Sequence, residues 1–179
     1  MIDPLTTRRV LHRVLFVALC SVVLFVRLLP IDPTAHGLPG PDLMLALTLA
    51  WVLRRPDYVP AVLIVMVFIF EDMMLWRPIG LWPLIVLMAT EWLRRRETAL
   101  RDMPFLLELA LVGGVMLAML VVQRLILQIT MVDQPALGLE LLRWLVTLAA
   151  YPLVAGFSLF AFGLRRAATG EVDAFGQRL

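Results

Sequence analysis

Six apolar runs, separated by short polar segments in which the arginines collect, constrain this chain more than any other feature. The runs are Val10–Leu29, Asp42–Leu53, Tyr58–Leu75, Ile79–Trp92, Phe105–Ile126 and Arg143–Leu164. A helix crossing ~30 Å of hydrocarbon at 1.5 Å per residue needs about 20 apolar residues. The first, fifth and sixth runs meet that length. The second and fourth are short, and cross only with flanking arginines reaching outward, local bilayer thinning, or partial enclosure inside the protein. Four or five spans therefore stand as the alternative to six. Composition agrees with a membrane setting: 61% of residues are hydrophobic and the mean hydropathy is +0.91. Charged residues make up 17%, against roughly a quarter in soluble domains.

The arginines decide between the counts. With the N-terminus inside, the inner segments hold Arg8, Arg9, Arg13, Arg54, Arg55, Arg94, Arg95, Arg96, Arg101, Arg165, Arg166 and Arg178, while the outer segments hold Arg27, Arg77, Arg124 and Arg143. Cytoplasmic loops of membrane proteins carry the excess of basic residues, so both termini are expected inside. Merging the second and third runs would strand Arg54 and Arg55 in the bilayer. The tryptophans fall near the expected boundaries, Trp51 and Trp92 inside and Trp76, Trp82 and Trp144 outside, as an aromatic belt requires. The expectation is an all-α, polytopic membrane bundle of about six helices, one integral domain over 1–179, with 165–179 a cytoplasmic tail.

Net charge of +2 does not point to nucleic acid, because the basic residues form no continuous face. Cys20 is the only cysteine, which excludes an intrachain disulfide or a cysteine-based metal site. His12 and His36 lie in different polar segments with no neighbouring ligand set. Thr7-Arg8-Arg9 before an apolar run has some character of an export signal, but no small-residue cleavage site follows, so the first helix is expected to be retained. No zinc-protease, phosphate-loop or CxxC pattern occurs. Ser21 and Ser158 are isolated in apolar runs, and the expectation is a protein without catalytic residues or cofactors.

Several polar residues stand out against the apolar background. Glu71 and Asp72 lie about one turn before the outer end of the third run, where acidic groups oppose the helix dipole. Either they reach the outer headgroups, pairing with Arg77, or they form a buried ion pair or partner contact. Their positions point about 100° apart. Asp72 shares a stripe with Phe68, Val65 and Ala61 and is expected to be held by Arg77 or by a backbone amide at the start of the fourth helix. Glu71 shares one with Val67 and Ile64 and is expected to matter less. Asp42, after Pro41, reads as an N-cap, and Arg54-Arg55-Pro56 as a stop signal and topology anchor. Ala110, Gly114 and Ala118, with Gly113 alongside, give the fifth helix a small-residue face suited to close helix packing, within the bundle or against another protein's helix. Glu108, Gln123 and Arg124 are expected at the interface.

Taken together, Pro41-Asp42-Leu43-Met44-Leu45, Trp51, Arg54-Arg55-Pro56, Asp72 and Pro78-Ile79-Gly80-Leu81-Trp82 resemble, in order and spacing, the rod shape-determining protein MreD family over roughly residues 40 to 95. The resemblance implies a non-enzymatic inner-membrane subunit of the bacterial elongation machinery. Its implied partners are MreC and, through the complex, MreB filaments, RodA and its transpeptidase. It also implies a fold resembling the substrate-binding subunits of energy-coupling-factor vitamin transporters, which supplies the alternative function. Those subunits carry an Ala-xxx-Ala pattern on the first helix, where this chain has Val14, Ala18 and Val22.

Overall fold

The computed structural model describes residues 4–29, 39–76, 78–96, 100, 103–132 and 134–162. Within them the chain forms six α-helices: α1 (Pro4–Leu28), α2 (Leu43–Arg54), α3 (Ala61–Met74), α4 (Leu81–Arg94), α5 (Phe105–Ile129) and α6 (Leu137–Phe162). A single 3₁₀ turn, Pro56–Tyr58, follows α2. Arg77 and the tail 165–179 lie outside the described residues.

The short second run becomes the hub. Every residue of α2 from Met44 to Val52 is buried, which suits a helix apolar on all sides. Twelve residues rise only ~18 Å, so α2 is enclosed by its neighbours and does not cross a bilayer alone. Its start is fixed by Asp42, whose side chain accepts from the Leu45 N–H at 3.2 Å. Its end is fixed by Pro56, since the residue before a proline avoids helical geometry. It packs chiefly against α6, and also against α4, α1 and the 3₁₀ turn; the same buried core takes in Phe16 from α1, Ile64 and Phe68 from α3, Val86 from α4, Val112 from α5 and Tyr151 and Ala155 from α6.

Among the described residues three helices, Thr7–Leu28 within α1, α5 and α6, are long and apolar enough to cross a membrane. Neighbouring helices run in alternating directions, and side-chain contacts reveal two ends. Arg27, Asp42, Glu71, Arg124, Glu140 and Arg143 gather at one. At the other, Arg13 donates to the Asp57 carbonyl, His12 stacks on Tyr58 at 4.3 Å, and Arg94 donates to the Val59 carbonyl. The arginines described in the expected inner segments therefore belong to one end of the bundle, and Arg27, Arg124 and Arg143 to the other.

Several expectations are corrected. Trp51 is not a belt residue: it is fully buried, beside Phe16 and Phe162, because the helix that carries it is enclosed. Trp82 is 9% exposed, whereas Trp76 is 96% exposed. Helix α3 begins at Ala61 because Pro60 is extended, and α6 begins at Leu137, six residues ahead of the apolar run. The face of Ala110, Gly114 and Ala118 is exposed. The adjacent Gly113 is the position that packs within the bundle. A methyl group there would meet Leu148 Cδ2 at 3.1 Å, and the Gly113 carbonyl accepts from Trp144 Nε1 at 3.0 Å.

Candidate functional site

Two buried polar clusters interrupt the apolar interior, one toward each end. The first is built on Asp42. Its backbone N–H donates to Thr147 Oγ1 at 2.9 Å, and its Oδ2 accepts from Arg143 at 3.2 Å. The same oxygen is 4.0 Å from Arg27. Arg27 makes its closer contact with Glu71, at 2.5 Å. One carboxylate therefore caps α2, while the guanidiniums around it belong to α1 and α6. Helix N-termini favour negative charge, so Asp42 serves α2 and both arginines at once.

Asp72 and Glu71 are adjacent on α3 and both are fully buried. Asp72 Oδ2 accepts from the backbone N–H of Gly80 at 3.1 Å, the backbone amide at the start of the fourth helix that the sequence offered as one partner. Gly80 has φ = +93°, a left-handed conformation that favours glycine, and this turn brings its amide back over α3. Arg77, the other partner considered, lies outside the described residues. Glu71 departs from expectation. The stripe it shares contains Ile64, which is fully buried, and Glu71, expected to matter less, itself carries the ion pair to Arg27. The 100° separation of adjacent residues holds, but α1 closes one side of α3's end and α4 the other.

The second cluster joins α2, α5 and α6. Arg54 donates to Glu108 Oε1 at 3.1 Å, and Tyr151 Oη donates to the same oxygen at 2.5 Å. Glu108 is 3% exposed, which corrects its interfacial reading, and Arg54 is a structural ion-pair partner as well as a stop signal. A turn or so away, Trp51 Nε1 donates to Ser158 Oγ at 3.2 Å, and that hydroxyl donates to the Val154 carbonyl. The isolated serine of the sequence is thus the acceptor for the central tryptophan. Arg55 caps the C-terminus of α2 through its backbone N–H, bonded to the Trp51 carbonyl at 2.8 Å.

Of the residues singled out from sequence, Asp42 joins the first cluster with Pro41 directly before it, Asp72 pins the α3–α4 turn, and Arg54 anchors the second cluster. Sequence reasoning left out Arg27, Thr147 and Tyr151. A single arginine near a helix end reads as a boundary residue, and a lone hydroxyl in an apolar run carries no signal of its partner. Among the described residues no group of three or more His, Cys, Asp or Glu could hold a metal ion. Neither a family model, nor a curated protein, nor a solved structure matches the chain.

Proposed function

We propose that this chain is a non-enzymatic scaffold subunit of the bacterial cell-elongation complex in the cytoplasmic membrane. It binds MreC and helps couple MreB filaments to RodA and its transpeptidase. The observation that carries the reading is how the residues of the MreD-like pattern are employed. Asp42, Arg54, Asp72 and Gly80 hold helices or turns to one another, so the pattern specifies a shape. A scaffold needs that, whereas a catalyst needs polar groups directed at a substrate.

A lateral surface for a single-span partner is also available. Ala110, Gly114 and Ala118 form an exposed face of α5, and nothing lies within 4 Å of a Cβ built at Gly114. Small residues at this spacing let a second helix approach closely. The outer end in this reading is the one bearing Asp42 and Asp72, and both termini are cytoplasmic.

Purification of the tagged chain from detergent-solubilised membranes, followed by protein identification, tests the proposal. An MreC-like single-span protein is expected, and Gly114→Leu is expected to reduce its recovery while leaving the bundle folded. Failure to recover such a partner, together with saturable stabilisation by a vitamin, would favour the transporter-subunit reading instead.

A further inference from the structure

Helix α4 sorts its side chains onto two faces. Trp82, Ile85, Val86, Thr90 and Leu93 are buried, and α4 packs against α2, α3 and α5. On the outward face Leu84, Met88 and Trp92 follow one another at four-residue spacing and are between 40% and 66% exposed. Helical geometry continues through Arg95, and the Arg96 N–H bonds the Leu93 carbonyl at 3.1 Å. Arg96 therefore extends the same stripe one turn past Trp92. Its guanidinium carbon lies 4.2 Å from the centre of the Trp92 ring, a cation–π contact.

The order along the stripe matches the order across one leaflet. From Leu84 to Arg96 the rise is ~18 Å, and half of the hydrocarbon core is about 15 Å. With Leu84 near the mid-plane, Leu84 and Met88 lie at acyl-chain depth and Trp92 at the ester level, where tryptophan prefers to sit. Arg96 then stands at the phosphates. A soluble acidic segment would meet only Arg96 and leave the apolar part of the stripe uncovered.

Charge selects the headgroup. Across 91–102 the sequence has Arg94, Arg95, Arg96 and Arg101 against Glu91, Glu97 and Asp102, so placement matters more than the sum. Glu91 is committed to Arg94 at 3.4 Å, and Arg94 also donates to the Val59 carbonyl. Arg95 and Arg96 are exposed, and among the described residues neither guanidinium meets a carboxylate. The Arg96 N–H donors are open to a phosphodiester, which a guanidinium fork fits bidentately. Zwitterionic and anionic phospholipids both carry that phosphate, but the ammonium of a zwitterionic headgroup meets repulsion from the neighbouring Arg95. A headgroup whose only charge is the phosphate avoids this. We propose that this face of α4 binds an anionic glycerophospholipid of the adjoining leaflet, its phosphate on Arg96, its glycerol esters beside Trp92 and an acyl chain along Met88 and Leu84. The proposal does not rest on the scaffold reading.

The test titrates the purified chain in dodecyl maltoside with dioleoyl phosphatidylglycerol, dioleoyl phosphatidylcholine and inorganic phosphate, and follows the midpoint of thermal loss of monodisperse protein. Phosphatidylglycerol is expected to give a saturable rise at roughly fivefold lower concentration than phosphatidylcholine, with inorganic phosphate inert. Arg96→Gln should leave the lipid-free midpoint unchanged, since that guanidinium ties no helices together. It should weaken phosphatidylglycerol by roughly fivefold, the worth of one basic residue at an anionic surface. Trp92→Leu should weaken it by roughly 2- to 5-fold, the range for an exposed cation–π contact. Arg8→Gln removes the same charge from α1, which packs on α2, α3 and the 3₁₀ turn, and should change the affinity by less than about twofold because salt screens distant exposed charges. A site already filled on purification shows instead as an anionic phospholipid retained in native mass spectrometry and lost in Arg96→Gln. Equal response to the two lipids, equal losses in Arg8→Gln and Arg96→Gln, or stabilisation by inorganic phosphate would overturn the proposal. So would a chain that retains no phospholipid and responds to neither lipid.

Discussion

Arg27→Met should destabilise the bundle about twice as much as Glu71→Leu, and the double variant should recover most of the loss. Glu71 Oε1 lies 2.5 Å from Arg27 Nη1, with side-chain exposures of 1% and 26% respectively. Two unit charges about 4 Å apart at an effective dielectric of 20 attract by about 4 kcal/mol. Removing one partner of a buried pair costs roughly 3–5 kcal/mol. Because Arg27 is a quarter exposed, water screens it in part and the lower end of that range, about 3 kcal/mol, applies. For a chain of this size that corresponds to a fall of roughly 6–12 °C in Tm. Glu71→Leu deprives Arg27 of its nearest carboxylate but leaves it 4.0 Å from Asp42 and partly solvated, so its effect should be roughly half as large. With both charges replaced by apolar groups of similar volume, neither desolvation nor an isolated charge remains, and such exchanges are commonly neutral. The double variant should unfold within ~1 kcal/mol of the wild type. Unfolding of the four proteins of this cycle in one detergent measures the coupling. Additive effects of the two substitutions, or an Arg27→Met midpoint equal to the wild type, would refute the assignment of the pair as a buried tie between α1 and α3.

Tyr151→Phe removes a hydroxyl donor from the buried Glu108 carboxylate. It should lower stability by ~1.5–3 kcal/mol, the range for hydrogen bonds to charged groups, read in the same unfolding assay. Gly114→Ala, in open space, should stabilise by roughly 0.5–1 kcal/mol through helix propensity. Gly113→Ala should gain less, because its new methyl presses on Leu148 at 3.1 Å; a larger gain at 113 than at 114 would misplace the α5–α6 contact. With Cys20 replaced by Ser, single cysteines at Thr34, Thr98 and Thr169 should react with an impermeant reagent in intact cells only at Thr34. Labelling at Thr98 from outside would contradict the orientation drawn from the arginines.

What the sequence made legible was whatever depends on one helix at a time. Apolar runs marked α1 to α6, Asp42 announced its own cap, and the clustering of arginines separated the two ends. The misreadings all concern which neighbour a helix meets. Trp51 sits near the end of its run and so resembled a belt residue, yet α2 is surrounded and both of its faces are interior. Glu71 and Asp72 do face different surroundings, but Glu71's side is interior too, because α1 and α4 enclose the end of α3 from two sides. Glu108 lies one turn into α5, where an acidic residue usually meets headgroups, and its burial depends on Arg54 and Tyr151 being brought there by two other helices. Gly113 and Gly114 are adjacent, and only the approach of Leu148 and Trp144 distinguishes the packed position from the open one.

Depletion of the chain in its own host tests the scaffold account most directly, with cell width and length followed by microscopy alongside a search for an MreC-like partner. The account predicts rounding of the cells on depletion. It also predicts rescue by the wild-type chain, and weak rescue by Arg27→Met in proportion to its lost membrane abundance. Cells that keep their shape while uptake of a vitamin falls would contradict it.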